Sequence, residues 1–349
     1  MTPRIAVVGA GLIGRKHLDI LKSDPAFEVA GIADPAPPAE AYARENGFAY
    51  FKESEALLDK AKPDGVIIAG PNVTHLATAL ACAARKIPAI VEKPVADTVA
   101  DALKVVAAAR EAKVPMLTGH HRRYNPIMQA ARDFVASGAL GKLVAVNATW
   151  LCRKPDDYFN VTWRREAGGG PVLINAIHDI DCLRMVAGEI ETVQAQTANS
   201  ARGFGVEDAC AAVLTFANGA LGTLILADST ATPWNWEATA RDSAISPNEI
   251  ENCFYLAGTK GGLAIPQLWH WSYDKADGAW ADPLTRRTLP VKNADPYPRQ
   301  LHHFARVIRG EEAPIIDVAE GTRTLATTLA IAESAKSGRP VRVADLMRP

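Results

Sequence analysis

Gly9-Ala-Gly11-Leu-Ile-Gly14 follows at once on the apolar, β-branched run from Arg4 to Val8, and a helical pattern (Leu12, Ile13, His17, Leu18, Leu21) starts inside it. Strand, glycine turn and helix in that order suit a pyrophosphate. Gly9 permits the tight turn, Gly11 lets the backbone approach an anion, Gly14 lets helix pack on strand, and the helix N-terminus offers amide N–H groups. Asp34 ends a second apolar run, Phe27 to Ala33, and lies 20 residues past Gly14. A dinucleotide site sets an acid on the adenosine ribose at about that distance. Two other side chains could move a proton near neutral pH. Lys93, in Glu92-Lys93-Pro94, stands directly after the apolar Ile87 to Val91, so it leaves the carboxyl end of a strand, where open α/β sheets take their ligands. His178 follows Gly168-Gly-Gly170, and flexible glycines suit close approach to a ligand.

Arg122, Arg123, Arg153, Lys154, Arg164 and Arg165 could form a cationic wall for a carboxylate substrate, or simply a solvated surface. Pro233-Trp-Asn-Trp236-Glu237 offers aromatic faces for a sugar, although tryptophans are as often core or interface.

The elements that must position these residues fall into two regimes. From Gly9 to Thr118 strand and helix alternate: Phe27 to Ala33, a helix near Ala39 to Asn46, Gly65 to Ala69, Val73 to Arg85, Ala89 to Glu92, Thr98 to Ala112 and Met116 to Thr118. Repeated β-α-β units predict parallel strands with right-handed crossovers. Pro126 cannot continue a strand, and Ile127 to Ser137 reads as a helix. The expected boundary therefore lies near 120, dividing a domain of residues 1–120 from one of residues 121–349. Lys142 to Leu151, Gln194 to Asn199, Glu207 to Phe216, Ala220 to Asp228, Cys253 to Ala257 and Gly262 to Ile265 read as strands. The Ala217-Asn-Gly219 turn implies hairpins and a largely antiparallel sheet. Helices are expected at Leu173 to Val186, Arg299 to Arg309 and Val318 to Ser337.

With 349 residues, 48% of them hydrophobic and 22% charged, the chain has the composition of an ordinary globular protein of about two domains. A formal net charge of −1 gives no electrostatic footprint for nucleic acid or an anionic membrane. No apolar run approaches a membrane span or a leader, so a cytoplasmic protein is expected. Five cysteines without a C-x-x-C or histidine cluster read as reduced, mostly buried thiols, with no metal site expected.

Taken together, the glycine turn, Pro71-Asn72 with His75, Glu92-Lys93-Pro94, Arg123 before Tyr124, Trp163-Arg164 ahead of the triple glycine, and His178-x-x-Asp181 resemble the Gfo/Idh/MocA family. This is the glucose-fructose oxidoreductase and inositol dehydrogenase group, and the resemblance covers nearly the whole chain. It implies an N-terminal Rossmann domain with a doubly wound parallel sheet and a C-terminal α/β domain with a large, mostly antiparallel open sheet, the substrate lying between them. It also implies hydride transfer between NAD and a secondary alcohol of a cyclic polyol, sugar or related hydroxy-acid. Lys93 and His178 are then the residues of proton transfer and substrate positioning. The cofactor contacts it implies are Gly9, Gly11, Leu12, Ile13, Gly14, Asp34, Pro71, Asn72, His75, Glu92, Lys93, Arg123, Trp163 and Arg164. One position departs from the family: an aspartate usually stands four residues before the histidine, and this chain has Ile174. Asn175, three residues before His178 and on the same helix face, is the expected substitute, accepting from a ring N–H. Asp179 and Asp181 are the alternatives. An open sheet with an uncovered apolar face predicts a homo-oligomer, a dimer or tetramer. Two rival functions remain at this stage: a catalytically silent NAD-binding sensor or regulator, and a lyase or glycosidase that uses NAD transiently.

Overall fold

The computed structural model describes residues 2–241 and 248–348. The chain packs as two units. Residues 1–121 and 297–325 make the first, residues 122–296 and 326–348 the second. The second crossing, at 296/297, falls inside the stretch expected as one domain.

In the first unit, β1 (Arg4–Val8), β2 (Glu28–Ala33), β3 (Tyr50–Phe51), β4 (Gly65–Ile68), β5 (Ala89–Val91) and β6 (Met116–Thr118) form one sheet in the order β3-β2-β1-β4-β5-β6. Every neighbouring pair is parallel. The order reverses between β1 and β4, the place where such sheets leave a crevice. β4, β5 and β6 are buried along their whole length because helices cover both faces, which is why they read as continuous apolar runs. Crossover helices span Leu12–Ser23, Pro37–Asn46, Ser54–Ala61, Asn72–Ala84 and Val99–Ala112. The last is opened by Thr98, whose hydroxyl accepts from the Asp101 N–H at 3.1 Å, a conventional N-cap. Leu301 and Phe304, from the helix Pro296–Ile308, join Ile5, Val7, Ile67 and Ile90 in the core.

The second unit holds β7 (Leu143–Leu151), β8 (Ile190–Ala198), β9 (Ala209–Phe216), β10 (Leu221–Ala227), β11 (Phe254–Gly258), β12 (Gly262–Ile265), β13 (Trp269–Tyr273), β14 (Leu284–Thr288) and β15 (Val341–Arg342). Their order is β14-β13-β12-β11-β7-β10-β9-β8-β15. All pairs are antiparallel except β7 with β10. The expected fold class, a doubly wound parallel sheet followed by a mostly antiparallel one, is the one found. Along the central strands Val146, Ala148, Trp150, Leu214 and Leu224 are buried, whereas Val213, Leu221, Ile225 and Tyr255 on the alternate positions are exposed, the period-two pattern of a sheet covered on one face.

The stretch expected as one helix over Leu173 to Val186 has two parts, a π-helical segment at Val172–Ala176 and an α-helix at Ile177–Ala187. β3 with the helix Ser54–Ala61, and the strands β13 to β15, add to what the sequence pattern predicted.

Gly65 is where the helix Pro296–Ile308 seats on β4. A Cβ there would lie 2.6 Å from Ile308 Cδ1 and 2.9 Å from the Phe304 ring, so Gly65→Val overpacks the core at a cost of about 1–3 kcal/mol. Thermal unfolding should show a midpoint several degrees lower; an unchanged midpoint would mean that this contact yields freely.

Candidate active site

The glycine turn is built by close contact. Gly9 has φ +94°, and a Cβ on it would collide with the backbone of Gly70, as one on Gly14 would with the carbonyl of Gly9. On Gly11 a Cβ would meet nothing within 4 Å. Two glycines thus press turn, strand and helix together, and the third faces open space. The helix Leu12–Ser23 begins without a side-chain cap, which leaves its first N–H groups to an anion. A cleft of about 660 Å³ lies against it, lined among others by Gly9, Gly11, Leu12, Ile13, Asp34 and Pro71. Leu12 is kept 87% exposed at its wall.

Asp34 follows β2, and its two carboxylate oxygens accept from the backbone N–H groups of Ala10 at 2.7 Å and Ala36 at 2.8 Å. The acid is therefore held at the cleft rim as a fixed charge. An uncapped helix start, a glycine with no obstruction and a carboxylate lining the same cleft fit a dinucleotide such as NAD.

Beside the cleft the loop after β5 is locked from behind. Glu92 is buried, and its Oε1 lies 2.9 Å from His17 Nε2. Burial pushes the Glu92 carboxyl up, but the bond from His17 and the attraction of His17, Lys93 and His75 outweigh it, leaving the group below its ordinary value. His75 is also buried; its Nδ1 lies 2.8 Å from the Pro94 carbonyl oxygen and its Nε2 3.0 Å from that of Gly70. It ties the loop after β4 to the loop after β5. Lys93 stands between these two fastenings.

His178 occupies the first turn of the helix Ile177–Ala187 in the second unit and is 9% exposed. Its two acidic neighbours each face an arginine. Asp179 accepts from Arg122 Nη1 at 2.8 Å, and burial raises its carboxyl to about 7 in spite of that guanidinium. Asp181 takes Arg123 in a two-bond clasp at 2.9 and 2.8 Å. Arg122 also reaches Glu237, which accepts from the Trp150 indole. Asn175 lies in the π-helical segment, and its Oδ1 accepts from Lys154 Nζ at 2.8 Å. Burial pushes the Lys154 ammonium down, although Asp228 favours its charge.

Of the cofactor contacts expected from the sequence, Gly9, Gly11, Leu12, Ile13, Asp34 and Pro71 line the cleft. Gly14 packs on the turn. Asn72 opens the helix Asn72–Ala84, and His75 and Glu92 hold loops. Trp163 is half exposed, and the Arg164 guanidinium lies 3.9 Å over the Tyr158 ring. Lys52, Glu53, Ser54, Thr74 and Thr78 also line the cleft. The first three went unnoticed because the strand that delivers them is two residues long. All five cysteines are free, four of them buried. Among the described residues no group of His, Cys, Asp and Glu could hold a metal ion, and no helix is long and apolar enough to cross a membrane.

Comparison with known proteins agrees with this geometry. Residues 3–120 match the model of the oxidoreductase family with an NAD-binding Rossmann fold, and residues 128–264 match the GFO/IDH/MocA C-terminal domain. The rhizopine catabolism protein MocA of Rhizobium meliloti is 31% identical over 54% of this chain, an alignment that spans only 58% of that protein. The 1,5-anhydro-D-fructose reductase of Ensifer adhaerens is 28% identical over 97% of this chain and 98% of its own. The crystal structure of the WlbA dehydrogenase of Bordetella pertussis, in complex with NADH and UDP-GlcNAcA, superposes with a TM-score of 0.79 at 25% identity, covering 98% of this chain and 99% of that one.

A fixed carboxylate at the adenosine end repels a 2′-phosphate. NADP should accordingly bind at least about tenfold more weakly than NAD, a difference of about 1.4 kcal/mol, and Asp34→Ser should narrow the gap. Equilibrium titration of both cofactors decides it, and tighter binding of NADP by the unmodified protein refutes it.

Proposed function

The chain belongs to the GFO/IDH/MocA family of NAD-binding oxidoreductases, and from that premise we propose that its substrate is a secondary alcohol of a cyclic polyol, sugar or related hydroxy-acid, or the matching ketone. When bound, NAD supplies the hydride acceptor. Oxidation breaks the carbinol C–H bond with transfer of hydride to the nicotinamide, and the hydroxyl proton passes to a base as the carbonyl forms. Lys93 and His178 are the groups proposed for that proton and for holding the hydroxyl.

The observation that carries this reading is the placement of Lys93. It leaves the carboxyl end of β5, the edge of the parallel sheet that also carries Gly9, Asp34 and Gly70, and two buried histidines fasten its loop. Among the substrate classes, the ion pairs favour a neutral one. Arg122, Arg123 and Lys154, half of the six cations that could have walled a carboxylate site, already face the buried carboxylates of Asp179, Asp181 and Asp228. Free thiols support the cytoplasm as the compartment.

We also propose a homo-oligomer, a dimer or tetramer built on the open sheet. Val213, Leu221, Ile225 and Tyr255 are 50, 58, 41 and 43% exposed on adjoining strands of one face, and a second copy of that face is the occupant that closes on itself.

Lys93→Ala and His178→Ala should each fold, bind NAD and lose about 10²-fold to 10⁴-fold in turnover, read as NADH formation against a panel of polyols, sugars and sugar acids. Full activity in either variant removes that residue from the proton path. For the assembly, sedimentation at micromolar concentration should show a dimer or larger, with Ile225→Glu shifting it toward monomer; a monomeric unmodified protein disproves the interface.

A further inference from the structure

Because β7 and β10 run side by side in the same direction, the residues leaving their carboxyl ends meet. Lys154 comes from the loop after β7 and Asp228 directly follows β10; the Lys154 N–H donates to the Asp228 carbonyl at 2.9 Å. Lys154 Nζ then lies 3.3 Å from Asp228 Oδ2 and 2.8 Å from Asn175 Oδ1, with its side chain only 10% exposed. The rings of Trp150 and Tyr158 stand 5.5 and 5.0 Å from the ammonium. Arg202 holds the other oxygen of Asp228 at 3.1 Å, so the carboxylate is fixed from two sides and fixes the ammonium in turn.

An ammonium has donors and no acceptor, so the amide atom facing it must be the oxygen of Asn175. The amide is therefore turned with its NH₂ away from Lys154. Among the described residues Asn175 Nδ2 meets no hydrogen-bond partner, and the side chain is partly exposed, in the π-helical segment three residues before His178. π-Helical turns of this kind recur at functional sites. The charges nearby are these: Lys154 and Arg202 share Asp228, Arg202 also faces Asp156, the buried Asp208 accepts from the N–H groups of Ala201 and Arg202, and Glu207 accepts from the Val172 N–H.

We infer that Lys154 is a positioning residue that locks the Asn175 amide with its N–H groups outward, and that Asn175 determines specificity by donating to a neutral oxygen of the substrate, a hydroxyl or carbonyl oxygen close to the reacting carbon. This replaces the role in which the Asn175 oxygen accepts from His178, and it rests on the proposal that the residues around His178 face the substrate.

Asn175→Asp keeps an oxygen for Lys154 and exchanges two donors for an acceptor. With the panel compound that the unmodified protein turns over best, its KM should rise at least about tenfold, with a smaller change in kcat and unchanged NAD affinity. Lys154→Met, which frees the amide to turn over, should raise KM several-fold, and Lys154→Gln, which keeps an N–H toward Asn175, should recover most of it. On the monodeoxy analogue that lacks the recognised oxygen, the Asn175→Asp penalty should disappear. An unchanged KM in Asn175→Asp, or a penalty equal on every deoxy analogue, overturns the donor role. A second readout needs no substrate. In thermal unfolding of the NAD-loaded protein, Lys154→Met and Asn175→Leu should give losses that fail to add in the double variant, whereas additive losses overturn the lock. If the unmodified protein turns over nothing on the panel while the non-additivity holds, the dehydrogenase reading fails and the lock stands.

Discussion

The seating of Gly14 on the carbonyl of Gly9 is the contact on which the rest of the first unit depends. It brings the helix Leu12–Ser23 against the strand that precedes it, and that single approach fixes several consequences. The helix start stays bare at the cleft. One and a half turns on, His17 reaches Glu92, so the helix whose start is bare at the cleft also holds the loop bearing Lys93. His75 adds the next link, from the loop that follows β4 to Pro94. Cofactor turn and candidate base are thus joined by buried polar contacts rather than by loose loop backbone, and sites held in this way keep their geometry.

The second unit achieves order by a different means. Several of its buried cations face carboxylates: Arg122 meets Asp179 and Glu237, Arg123 meets Asp181, and Lys154 and Arg202 share Asp228. Removing one partner of such a buried pair leaves an uncompensated charge, which costs far more than the pair contributes. These residues therefore specify the arrangement around His178 more than they stabilise the fold.

Much of this was legible in the sequence wherever one local pattern decides an element. β1, the helix at Leu12, β2, β4 to β6 and the central strands of the second sheet carry either continuous apolar runs or strict alternation, and their register follows from burial. β3 and β15 are two residues long, shorter than any period. β14 is mostly exposed and shows no apolar face to read, and β13, although Trp269, Trp271 and Tyr273 alternate along it, has no buried position. At the cleft, Asp34 was legible because it stands at the end of a strand. Lys154 was seen only as one cation of six, because its partner Asp228 is distant in sequence and becomes its neighbour only through the parallel pairing of β7 with β10. The π-helical segment escaped for a related reason: its residues have ordinary helical composition, and the extra residue in the turn is a matter of hydrogen-bond pattern.

That parallel seam also sets how the second unit must come together. Antiparallel neighbours such as β9 and β10 can zip from the turn between them, but β7 and β10 have no short connection, and the Asn147–Thr223 side-chain bond spans 76 residues. Loop closure of that length slows folding, since its entropy is lost before its contacts form. The β7–β10 seam therefore closes later than the β9–β10 hairpin beside it. β8 keeps an unpaired edge for longer still, until residues 341–342 have been made. During synthesis the sheet therefore passes through a state with its seam open and one edge bare, the stage at which a chain of this topology has most need of a chaperone.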